Sequence, residues 1–302
     1  MVVAAIDVGS NTLRLLICDV ENGKIKHILY EDRKITRLAE DLINTHLLND
    51  KAIDRTIEAL KDFKQAIEQF KPYRINIVAT SAVREAKNSN VFLKKAEEIG
   101  FNVEVIDSFR EGYYTYLGVA SVIALDDKKG VIFDIGGGST EFIYTHNNNI
   151  LNVNSLELGV VKIANLYDLN NVVVNDLQEQ ISLYIKKWLA HLDSTFKTDV
   201  LIGTAGTVTT IAAIDLHMDK YDSALINNYK LEYTRIKHIY NLLSQLTARQ
   251  RLNVVGLEEG REDLIIAGIL MVLEILAYFS KDYIIVSDYG LREGLAIAAS
   301  LD

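Results

Sequence analysis

One stretch of this chain occurs twice. Residues 3–23 and 130–150 share an order: an apolar run, a strand-end aspartate, a glycine-bearing turn, a second apolar run and an asparagine-containing polar turn. Laid over one another, Asp7-Val8-Gly9-Ser10-Asn11-Thr12 meets Asp134-Ile135-Gly136-Gly137-Gly138-Ser139-Thr140, and the second copy carries one extra glycine. Apolar runs bounded by turn residues are buried strands. A repeated strand-turn-strand unit therefore predicts two similar sheets. The 302 residues fit, as a soft prior, two domains of about 150 residues.

After each copy, strands alternate with helices. From Asn49 to Phe70, Ile53, Ile57, Leu60, Phe63 and Ile67 recur at three- and four-residue spacing, the mark of an amphipathic helix, and Pro72, the sole proline, follows as a stop. INIVATSA is a strand, SNVFLKKAEEIG a helix closing on Gly100, and NVEVIDS another strand. Helices are expected near 173–195 and 233–247, and both DVLIGTAGTVTTIAAI and YIIVSDYGLREGLAIAAS read as strand, turn, helix. The pattern is α/β. A boundary is expected within 117–130, giving domains 1–117 and 118–302.

A net charge of −9 argues against a nucleic-acid face. It would also repel an anionic ligand, so such a ligand needs local compensation from backbone amides, arginines or a metal ion. No apolar run reaches the roughly 18–20 residues of a membrane span. The start, MVVAAIDVGSNT, lacks the basic region of a signal peptide. The only cysteine, Cys18, is expected to pack as a small apolar side chain. These points favour the cytoplasm.

Glycine lets successive amides converge on an anion because it accepts positive φ and has no side chain in the way. Gly136, Gly137 and Gly138, followed by Ser139, suit such a nest. Gly9-Ser10-Asn11-Thr12 is a second copy aided by side-chain donors. Asp7 and Asp134, at strand ends beside these turns, could hold a cation, orient water or close an Asx-turn. Arg84 could grip phosphate bidentately or form an ion pair. Glu111 opens a helix, where a carboxylate is favoured whatever its role. Glu141 lies just after the second nest, and Gly203-Thr204-Ala205-Gly206-Thr207 is a third small-residue turn able to admit a base, ribose or phosphate.

IDVGSNTLRLLI, ATSAVREAKN, DIGGGSTEF and SDYGLREGL, in this order, resemble the exopolyphosphatase/guanosine pentaphosphate phosphohydrolase family, in a short form lacking the C-terminal helical region. The resemblance implies two duplicated ribonuclease-H-like domains around a cleft, as in actin, sugar kinases and heat-shock ATPases. It places Asp7, Ser10, Asn11 and Arg14 in a first phosphate motif. Asp134, Gly136, Gly137, Gly138, Ser139 and Glu141 match a second. Arg37 and Arg84 match phosphate-binding arginines, and Gly203, Gly206 and Thr207 a third loop in which Ala205 replaces a glycine. Ala39 and Asp41 replace glycines that usually follow Arg37. Glu111 falls at the catalytic base, and Arg110 replaces a second glutamate beside it.

The implied activity is hydrolysis of terminal phosphoanhydrides of polyphosphate or guanosine pentaphosphate. Glu111 would serve as base, and Mg²⁺ or another divalent cation would sit on Asp134 and Glu141, the latter also a catalytic candidate. A binding regulator on the same fold is the alternative reading, and a kinase ranks third. No nucleic-acid or membrane partner is expected; a homodimer is one assembly left open.

Overall fold

The computed structural model describes residues 1–301. Backbone contacts divide it into two units, Met1–Ser121 with Tyr289–Asp302, and Val122–Asp288.

In the first unit, β1 (Val2–Val8), β2 (Thr12–Glu21) and β3 (Lys24–Ile35) run antiparallel. They are followed by α1 (Leu42–Thr45), α2 (Asp50–Phe70), β4 (Arg74–Ala79), α3 (Ser81–Glu85), α4 (Ser89–Glu98), β5 (Glu104–Val105) and α5 (Ser108–Ala120). The sheet order is β3-β2-β1-β4-β5, with β4 parallel to β1. One face carries Ile6, Val8, Leu13 and Leu15 against Ile53, Leu60 and Phe63 of α2. Asn49 caps that helix, its side chain accepting from the Lys51 amide at 2.9 Å.

The second unit repeats the plan. β6 (Gly130–Ile135), β7 (Thr140–His146) and β8 (Asn149–Leu156) are antiparallel and lead into α6 (Val160–Leu166) and α7 (Asn175–Leu189). Then come β9 (Val200–Thr204), α8 (Ala205–Asp215), α9 (Ser223–Ile226), β10 (Tyr229–Glu232), α10 (Tyr233–Leu243), α11 (Ala248–Arg251), α12 (Ile265–Tyr278) and β11 (Tyr283–Val286). The order β10-β11-β9-β6-β7-β8 matches the first sheet with one strand added at the far edge. The polar turns also correspond: Asn22-Gly23 and Asn147-Asn148 both have two positive-φ residues, as the right-handed twist of a tight hairpin requires.

The final helix, α13 (Leu291–Ala298), corrects the expected boundary at the chain's end. Its Leu291, Leu295 and Ala296 pack on Val3, Ala5, Leu16 and Cys18, the second face of the first sheet. The second unit is thus inserted between α5 and α13, and the first unit does not end at residue 117. Burial pushes the Cys18 thiol up to about 12, with Glu293 adding to the shift and Arg292 opposing it, so this side chain is an inert core residue. Among the described residues, no helix is long and apolar enough to cross a membrane.

Candidate active site

The two glycine turns are built alike. In each, the first glycine amide donates to the carbonyl three residues on, Gly9 to Thr12 at 3.1 Å and Gly136 to Ser139 at 3.0 Å. The flanking registers, Val8 opposite Leu13 and Ile135 opposite Thr140, enclose loops of equal length. The expected extra glycine therefore disappears: Gly136 stands over Gly9, and Ser139 over Thr12 rather than Ser10.

The positive-φ nest is also corrected. Gly9, Gly136, Gly137 and Gly138 are not among the residues with positive φ. Glycine is needed at the first loop position because the backbone closes on itself. A Cβ at Gly9 would stand 2.9 Å from the Thr12 carbonyl oxygen, and one at Gly136 3.0 Å from that of Ser139. The direction of the loop amides is set by hydrogen bonds to the loop carbonyls. The Ser10 carbonyl accepts from the Ala39 amide, and the Asn11 carbonyl from the amides of Thr36 and Arg37. The Gly136 and Gly137 carbonyls accept from the first amides of α6, Val160 and Val161, at 3.1 and 2.9 Å. In a planar trans peptide, C=O and the next N–H point opposite ways. Carbonyls pinned to the scaffold therefore turn the amides of Asn11, Gly137 and Gly138 away from it.

Gly159, which the sequence reading passed over, makes this possible in the second unit. A Cβ there would lie 2.3 Å from the Gly137 oxygen. In the first unit, Arg37 adopts φ 49 while its amide holds Asn11, leaving its side chain exposed. Asp41, in place of a glycine, keeps a left-handed φ of 61. Ser10 is buried with its hydroxyl 2.9 Å from that of Ser81, another residue the sequence reading did not single out.

Glu111 is 7 % exposed in the first turn of α5. Arg84 donates through Nη1 to Glu111 Oε2 and to the Ile106 carbonyl, both at 2.9 Å. The guanidinium expected on phosphate thus has one edge on the candidate base. Arg110 bonds to Glu104 and, at 2.7 Å, to the Tyr114 hydroxyl. Its replacement of a glutamate therefore contributes a surface ion pair on the β5 edge.

Register sets the charged row of each sheet. Asp7 stands opposite Arg14, whereas Asp134 stands opposite Glu141. Glu141 is buried and accepts from the Ser155 hydroxyl at 2.8 Å. Two carboxylates directly opposed on one face of a sheet repel. A divalent cation that keeps several waters and takes one or two carboxylates fits such a pair. Among the described residues no group of three or more acidic, histidine or cysteine side chains offers a complete cage.

The third loop is closely packed. A Cβ at Gly203 would meet the Phe133 ring at 2.6 Å, and the Thr207 methyl fills the space left by Gly268. Gly206 lies under the guanidinium of Arg261, where a Cβ would stand 1.9 Å from Nη2. Arg261 is nearly buried and paired with Glu258. Its position in the charged tract LEEGRED concealed it.

This arrangement, a duplicated α/β pair with matched phosphate-type loops, has known counterparts. The Ppx/GppA phosphatase family matches residues 16–301. A bifunctional 3-dehydroquinate synthase/phosphatase of Fusobacterium nucleatum is 36% identical over 297 residues, covering 94% of this chain but only 44% of that protein. The chain thus spans less than half the length of that relative. Exopolyphosphatase 2 of Mycobacterium tuberculosis is 28% identical over 98% of both chains. The crystal structure of the Aquifex aeolicus Ppx/GppA family member superposes with TM-score 0.85 at 33% identity, over 100% of this chain and 98% of that one. The chain belongs to the Ppx/GppA phosphatase family.

Proposed function

We propose that the chain hydrolyses the terminal phosphoanhydride bond of inorganic polyphosphate or guanosine pentaphosphate and releases orthophosphate. Family membership supports the reaction class. The observation that carries the mechanism is the buried Glu111 carboxylate held by Arg84 beside the loop-bearing sheet. Glu111 takes a proton from water as the water oxygen attacks the terminal phosphorus. The bridging P–O bond breaks, and its electron pair stays on the shortened chain. Arg84 fixes the carboxylate through one Nη1 edge and keeps other donors for a phosphoryl oxygen. Because phosphate oxygens accept, the Ser10 hydroxyl donates to substrate and accepts from Ser81. Asp134 and Glu141 would hold a divalent cation, which when bound neutralises charge on phosphoryl oxygens.

The test is phosphate release from both substrates, with and without Mg²⁺, by wild type and Glu111→Gln. General-base loss lowers kcat by roughly 10²–10⁴-fold with KM little changed. Binding without release in the wild-type protein would instead make it a regulator, and near-normal kcat in Glu111→Gln would move the base elsewhere.

A further inference from the structure

The charged row of the first sheet extends one strand further than any motif. The register places Arg14 of β2 opposite Arg33 of β3, next to the Asp7–Arg14 pair. The equivalent row of the second sheet runs Asp134, Glu141, Ser155. Opposed residues of an antiparallel pair share a face with Cβ atoms about 4.5–5.5 Å apart, and like charges there are destabilising. Each unit therefore carries one like-charged pair in this row, acidic across the first two strands of the second unit and basic across the second and third strands of the first. The register irregularities of β2 and β3 fall beyond Ile17, so the Arg14–Arg33 pairing is regular.

The face is identified by its neighbours. The pairs Val3–Cys18 and Ala5–Leu16 precede Asp7–Arg14 along the same side of the sheet, and all four apolar residues pack with α13. A Cβ at Gly118 of α5 would lie 2.1 Å from the Gly290 oxygen at the start of α13, so the helix bearing Glu111 packs against the helix that covers this face. Arg14 and Arg33 are half-buried, which strengthens their field relative to open solvent. With Asp7 included the row keeps net positive charge in a protein whose net charge is −9. An anion bridging two guanidinium groups turns their repulsion into paired charge-assisted hydrogen bonds.

We infer that Arg14 and Arg33 form a subsite for a run of phosphoryl groups, with Arg33 a binding residue outside the family motifs. This rests on the phosphohydrolase reading. Free polyphosphate and the phosphate tail of a guanosine nucleotide present the same chemistry to it.

The experiment uses the full chain and the Arg33→Gln, Arg33→Met and Arg33→Lys variants. Binding of tripolyphosphate and of guanosine pentaphosphate is titrated calorimetrically at two salt concentrations, with the ligand-induced rise in Tm as a second readout. Arg33→Gln is expected to weaken binding about tenfold, as loss of a charge-assisted contact does. The salt dependence of Kd becomes shallower and the Tm rise smaller. Arg33→Met, which keeps the apolar stem, behaves as Gln does, and Arg33→Lys recovers most of the loss. A change in salt slope separates a charge contact from a packing role. An effect on both ligands supports a subsite for phosphoryl groups in general, and an effect on one alone supports it and identifies the source. Unchanged affinity and salt slope in Gln and Met variants, with wild type binding normally, overturn the subsite and leave the hydrolase reading standing. A wild-type protein that binds neither ligand overturns both.

Discussion

Ala205 opens α8 at φ 67, a left-handed conformation that a residue with a Cβ adopts at a penalty of roughly 1–2 kcal/mol. The glycine expected by resemblance would remove that penalty but add freedom to the unfolded chain. Ala205→Gly should therefore raise stability by roughly 0.5–1 kcal/mol, measured by chemical denaturation. A loss of stability would mean that the methyl group makes compensating contacts. Arg251 shows the other kind of single-residue commitment. Fully buried, it donates to the carbonyls of Leu243, Leu169, Glu262 and Asn171. Burial pushes its guanidinium down to about 10, still charged at neutral pH, so a charged donor set ties four backbone carbonyls from separate segments together inside the second unit.

Between elements, the tightest approach in the first unit is α5 on α13. Besides the Gly118 contact, a Cβ at Gly294 would lie 1.7 Å from the Tyr114 oxygen. Alanine is the better helix former by about 1 kcal/mol, so in an open helix Gly118→Ala would stabilise. Here the added methyl meets backbone that cannot rotate away, and overpacking of this kind destabilises by about 1–3 kcal/mol. Gly118→Ala should lower Tm; a rise would show that the crossing opens without penalty. This contact was not legible in the sequence, where Gly118 is one glycine in an amphipathic stretch. By contrast α2 was legible, because all five apolar positions picked out by spacing are buried on one side. α12 escaped notice because it is buried nearly all round, from Ile265 to Leu276, and has no stripe to detect. The glycine loops were located from composition, but their working was misread. Equal loop lengths and carbonyl anchoring depend on register and on segments such as Thr36–Ala39 and Gly159–Val161, which a linear pattern does not bring together. Arg33 was missed for the same reason: its partner across the strand lies outside its own motif.

At the scale of the whole molecule, the two units carry separate spectroscopic and chemical reporters. Cys18, the sole cysteine, lies in the core that α13 completes, and Trp188, the sole tryptophan, packs on the core of the second unit. Among the described residues, none beyond Val286 belongs to that second core. Removing residues 289–302 strips Leu291, Leu295, Ala296 and Ala299 from the first unit. Burial of each leucine side chain stabilises by roughly 1.5–3 kcal/mol, so the loss from the two leucines alone is a large share of the roughly 5–15 kcal/mol that holds a domain together. The truncated chain should therefore expose Cys18 to a thiol reagent under native conditions, whereas the intact chain should react only on unfolding. Its Trp188 emission should remain native and shift only on denaturation. A truncated protein whose Cys18 stays protected would show that the first sheet keeps its second face closed without α13. Simultaneous loss of the Trp188 signal would show instead that the second unit folds only when the first does, because nothing in its own core is removed by the cut.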